Sequence, residues 1–243
     1  MSRSNNTEII NPSTKFLKWD GENGGFKYWD KEKEKNISIP FPFTFLVLDI
    51  LVTIGGYSND DKSGFWANEV RRIAKDELTV RTAKGVQAKG LYNDIKNDPN
   101  LNGAKFCQSV YIAMYDDNKE LVIANIQLTG AALSAWFDFK KKTKVYEKAV
   151  HISEFTKEKK GKNEYTVPVF TVKDVSEETD KKAIELDEEL QSYLDKYLAT
   201  KKDESAVDDA QPDDAVEQSN QEPETFVPEG ETFVPEDDDD LPF

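Results

Sequence analysis

From Phe41 to Ile54 the run FPFTFLVLDILVTI is rich in β-branched and aromatic residues and closes at Gly55-Gly56, the pattern of a largely buried strand. Four more strands are expected at 64–73 (GFWANEVRRI), 78–82 (LTVRT), 104–115 (AKFCQSVYIAMY) and 119–128 (ELVIANIQLT), with Asp116, Asp117 and Asn118 turning the chain between the last two. GLYNDIKNDPN, between the third and fourth of the five strands, fits one short helix ending before Pro99. Five strands with a helix after the third is the order of an OB-fold barrel. Upstream, the turn composition of Asp20 to Gly25 predicts an additional N-terminal hairpin.

Downstream, GAALSAWFDFKKKT (130–143) reads as a helix, with Trp136, Phe137 and Phe139 expected in the core. VYEKAVHISEF and EYTVPVFTV read as a hairpin around the Lys-rich turn TKEKKGKN. In 176–202, Ala183, Leu186, Leu190, Tyr193 and Tyr197 recur three or four apart, the spacing of an amphipathic helix that packs on the domain, or else on a second subunit, and that Asp174 or Ser176 can cap. The expected fold is therefore mainly β: an OB-fold domain over 1–175, the amphipathic helix 176–202, and a disordered acidic tail over 203–243.

Charge separates the tail from the rest. Residues 203–243 hold 16 Asp and Glu and no Lys or Arg, so the formal charge of -15 leaves the first 202 residues at +1 (32 basic, 31 acidic). The tail lacks apolar periodicity and contains a tandem repeat, ETFVPEG and ETFVPED, too short for a solenoid. One cysteine, Cys107, and one histidine, His151, exclude an internal disulfide and a Cys/His zinc cluster, and no cofactor is expected. No secretory leader is visible and no stretch reaches the ~20 apolar residues of a membrane span, so a reducing cytoplasmic setting and no membrane partner are expected.

The chemistry-bearing feature is basic and aromatic interleaving. STKFLKWDGENGGFKYWDKEKEKN alternates Phe16, Trp19, Phe26, Tyr28 and Trp29 with Lys15, Lys18, Lys27 and further lysines. Single-stranded nucleic acid calls for this mixture, because ammonium groups neutralise phosphates while rings stack on exposed bases. The mix recurs at Tyr57, Phe65, Trp66, Arg71, Arg72 and Arg81, and lysine runs follow at 140–144 and 157–162. The candidate DNA contacts are Lys15, Lys18, Trp19, Lys27, Tyr28, Trp29, Tyr57, Trp66, Arg71, Arg72 and Arg81. An ordinary half-buried strand also alternates lysine with aromatics, so each ring has a core alternative. No phosphate-binding glycine loop, nucleophile elbow or HExxH motif is present, and no catalytic residue is expected.

The segment DDDDLPF, Asp237, Asp238, Asp239, Asp240, Leu241, Pro242 and Phe243, resembles the acidic tips of the single-stranded DNA-binding proteins of bacteria and their phages. The longer body looks more like a phage version, which leaves the bacterial tetramer open; a homo-oligomer remains possible. The resemblance implies a protein of a bacterial or phage-infected cell. It would coat and protect single-stranded DNA in replication, recombination and repair, and recruit partner enzymes through those seven residues. Two alternatives stand beside it: an acidic adaptor or DNA mimic, which has no use for exposed stacking rings, and a phage strand-annealing protein.

Overall fold

The computed structural model describes residues 9–204, with side chains to 200. The expected tail disorder, the ETFVPE repeats and DDDDLPF lie outside the described residues. Three short strands, β1 (Lys15–Trp19), β2 (Phe26–Asp30) and β3 (Lys35–Ser38), form the N-terminal meander. Then come β4 (Phe43–Ser58), β5 (Ser63–Ala67), β6 (Leu78–Thr82) and β7 (Gly85–Gly90), a helix α1 (Tyr92–Ile95) and a 3-10 turn at Pro99–Leu101. The long strands β8 (Ala104–Tyr115) and β9 (Leu121–Leu128) precede α2 (Gly130–Lys142). β10 (Ala149–Ile152), β11 (Phe155–Lys160), β12 (Asn163–Pro168), β13 (Thr171–Lys173) and α3 (Glu177–Glu204) complete the described chain.

The fold is mainly β, built on a large mixed sheet whose main path runs β3-β2-β1-β9-β8-β4-β5-β6-β7. Neighbours are antiparallel except β1 and β9, which pair in parallel with Leu17 opposite Ile126. β8 holds one edge of β4 along most of its length. The other edge is shared by β10, at Phe43 to Phe45, and β5, at Gly55 to Ser58. Between Val47 and Asp49 the register slips by one residue, which makes Leu48 a bulge. Side chains before and after the bulge thereby keep facing their own cores.

One face, here the inner face, carries Leu17, Phe26, Phe43, Phe45, Ile112 and Ile126 and is closed by Ala132, Leu133 and Trp136 of α2. Towards β5 to β7 the same face continues into a cluster of Val52, Ile54, Phe65, Leu78, Val80 and Leu101. The opposite, outer face receives α3, whose Ala183, Leu190 and Leu194 bury against Leu46, Leu48, Leu51, Tyr111 and Ile123. Each fully buried leucine contributes about 1.5–3 kcal/mol. Ser176 caps the helix by accepting the Thr179 N–H at 3.2 Å.

Several expectations shift. β4 runs on through Gly55 and Gly56 because Lys105 and Ala104 of β8 pair with them. The strand expected over 64–73 stops at Ala67, where the Asn68 side chain donates to the Glu77 carbonyl and accepts from the Thr79 N–H, locking a loop. Val70 in that loop returns to bridge Val52. The lysines read as a turn instead extend a two-stranded ribbon, β11 with β12, in which Lys160 opposes Asn163. β10 leaves that hairpin and pairs with β4 and β13.

Candidate nucleic-acid interface

Strand alternation sorts the candidates by face. On β1 and β2, Leu17 and Phe26 point into the inner core, so Lys18, Lys27 and Trp29 belong to the outer face, with Lys18 opposite Lys27. On β4 and β5, Ile54 and Phe65 are inner, which turns Tyr57 and Trp66 outward. On β6, Val80 is fully buried and Arg81, opposite Trp66, faces outward. Six of the eleven candidates thus share one face, at two positions on either side of β9 and β8.

The second position has a member that sequence reading missed. Lys105 opposes Gly55, which opposes Trp66, which opposes Arg81, a single row across β8, β4, β5 and β6. Trp66 is 41% exposed. Neither Arg81 nor Lys105 forms an ion pair among the described residues. Lys105 sits in an ordinary alternating strand, and only the register with β4 brings it beside Trp66.

Between the two positions the outward side chains of Cys107, Ser109 and Asn125 are buried. Lys18 is exposed at its surface, and desolvation by the groups around it lowers its pKa. Cys107 on β8 is close enough for the two groups to perturb each other, and burial pushes its thiol up to about 12. Lys27 keeps a 3.3 Å pair with Asp20. Burial raises the Asp20 pKa, but hydrogen bonds from Asn23 and the charge of Lys27 outweigh it and leave the carboxyl below its ordinary value.

The remaining candidates serve the body of the protein. Trp19 donates its indole N–H to the Thr166 carbonyl at 3.0 Å and packs edge-on against Phe26 and Phe155. Tyr28 lies against the inner core with the Lys15 ammonium 4.9 Å above its ring. Arg71 grips Asp49 at 2.8 Å and donates to Gln191 of α3, while Arg72 folds onto Asp76 in its own loop. His151 is tied to the Thr44 hydroxyl at 2.7 Å, and Trp136 donates to Gln108 in the core.

Under α3 lies a buried polar cluster. The Glu69 carboxylate accepts hydrogen bonds from the Ser109 hydroxyl and, at 2.6 Å, from the Tyr111 hydroxyl, and the Asn125 amide donates to Ser109. Burial raises the Glu69 pKa despite those bonds, and burial together with Glu69 raises that of Tyr111. Tyr197 of α3 accepts the Glu69 backbone N–H at 3.0 Å, which ties the helix to the loop after β5.

Among the described residues no group of three or more His, Cys, Asp or Glu could hold a metal ion, and no helix is long and apolar enough to cross a membrane. A groove of about 580 Å³ between α2 and β13, lined by Phe139, Lys142, Phe170 and Val172, shares no residue with the candidate contacts. No family model, no curated protein and no solved structure matches this chain.

Proposed function

We propose that this protein binds single-stranded DNA, without strong sequence preference, across the outer face of its sheet. One observation carries the reading: Lys18, Lys27 and Trp29 from one end of the sheet and Tyr57, Trp66, Arg81 and Lys105 from the other share one face, beyond the part that α3 covers. Cations at both ends can hold a phosphate backbone, and the rings between them offer stacking that any base satisfies. A DNA mimic has no need of such a face. The DDDDLPF segment belongs to the same proposal, as a hook on which replication and recombination enzymes bury Leu241 and Phe243.

We also propose that the sheet is a variant of an OB-type barrel. The pairings β4–β5, β5–β6, β4–β8 and β8–β9 are adjacencies of an OB strand order. The edge of β9 that would close the ring onto β6 is taken by β1, so the reading is of an OB-like sheet opened by an inserted strand.

The test is a tryptophan-fluorescence titration of the full chain with oligo-dT, duplex DNA and RNA over a range of salt. Single strands are expected to win over duplex, with affinity falling on a log-log slope of about -3.5 for ~5 phosphates neutralised. Equal affinity for duplex, or indifference to salt, overturns the proposal.

A further inference from the structure

Gly55 has no structural reason to be glycine. Its φ lies outside the left-handed region, and a Cβ built on it meets no heavy atom within 4 Å. Its neighbour shows the contrast. Gly56 has φ +127°, and a Cβ there would collide with the Gly103 carbonyl. Glycine in the interior of a strand weakens it and leaves nothing to pack, so a glycine that neither the backbone nor the packing requires points to close approach by something else.

Its surroundings say what. Gly55 lies on the outer face between Trp66 of β5 and Lys105 of β8, with Tyr57 two residues along the same strand and Arg81 beyond Trp66. Cross-strand side chains stand about 5 Å apart. Omitting one therefore opens a slot one side chain wide, walled by an indole and floored by backbone.

Resting on the single-strand reading above, we infer that this slot seats one unpaired nucleobase. The base lies on the Gly55 backbone against Trp66, and its flanking phosphates fall to Lys105 and Arg81. A flat aromatic ring fits a floor without a Cβ, and two cations at the rim suit an anionic chain on both sides of it. A paired base has its faces covered by the stack and cannot enter. The slot thereby adds a steric selection for single strands to the attraction that any polyanion would feel.

The test is a set of full-chain variants titrated with oligo-dT and melted in parallel. Gly55→Val and Gly55→Ala should fold with a Tm equal to or above that of the parent, since the site is open and its φ ordinary. Gly55→Val should weaken oligo-dT binding about tenfold or more, in the range of one lost stack, and Gly55→Ala should weaken it less. Trp66→Ala should lose a comparable factor, and the Gly55→Val, Trp66→Ala double variant little beyond either single one, because both empty the same seat. A folded Gly55→Val protein that binds like the parent overturns the slot while leaving the interface intact. Loss of Tm in both Gly55 variants overturns it too, by making the glycine a device of the strand. A parent protein that ignores oligo-dT overturns the functional reading itself.

Discussion

Two tryptophans in this chain have opposite situations. Trp136 is fully buried with its N–H on Gln108, whereas Trp66 stands 41% exposed beside Arg81. Trp136→Ala should therefore cost about 3–5 kcal/mol of folding stability, while Trp66→Ala should leave the melt unchanged and weaken single-strand binding by roughly 1–3 kcal/mol. Thermal melts and binding isotherms of the two variants separate the roles. Glu69 makes a pH prediction. Its folded-state pKa is raised by burial, so between the ordinary carboxyl range and that raised value the folded protein holds a proton that the unfolded chain has released. Stability must fall as pH rises through this window. Glu69→Gln should remove that fall and raise Tm at neutral pH, as melts on either side of the window will record. An unchanged pH profile would mean that the carboxylate is better solvated than its surroundings indicate.

Among the elements, α3 shows how a polar helix is held. Among its described side chains only Ala183, Leu190 and Leu194 are buried, and Gln191 and Tyr197 add hydrogen bonds to Arg71, Asp49 and the Glu69 backbone. Leu190→Ala should cost about 2–5 kcal/mol in denaturant unfolding; a cost near zero would mean that the helix docks through its polar contacts. The helix was legible in the sequence because its apolar spacing is purely local, and so were β8, β9 and α2. What could not be read depended on partners distant in sequence. Gly55-Gly56 looks like a strand end until β8 pairs with it, and β7, with its glycines at both ends, carries too little apolar alternation to announce itself. Of the candidate contacts, Trp66 and Lys18 could be picked by type. Arg71 could not be set aside, because its partner Asp49 lies 22 residues away, and Lys105 could not be found without the register.

At the scale of the whole molecule, the direction of α3 matters. Thr179 meets Tyr115 at one end of β8, and Tyr197 meets Glu69 in the loop that follows β5. The helix thus runs towards the Trp66 end of the outer face. The acidic stretch that begins at Asp203 is tethered to the same chain, so its carboxylates compete with phosphates for the cations of that face at a raised effective concentration. Deleting residues 205–243 should tighten oligo-dT binding, most at low salt, where the tail is least screened. Removing Phe243 alone should leave DNA affinity unchanged and abolish capture of purified replication enzymes that bind the intact chain. Retained capture would refute the hook.

The parallel seat of β1 beside β9 also governs the order in which this chain can assemble. Thr14 bonds to the carbonyl of Ile123, 109 residues further on. At ribosomal speeds of ~5–20 residues per second, the first hairpin waits about 5–20 s for the strand it must join. During that interval its edge is an open template for any extended chain nearby. Lys15 and Lys18 guard the edge, since two newborn copies would bring like charges together before their backbones could pair. The same lysine that belongs to the outer face of the finished protein first keeps the nascent one from its siblings.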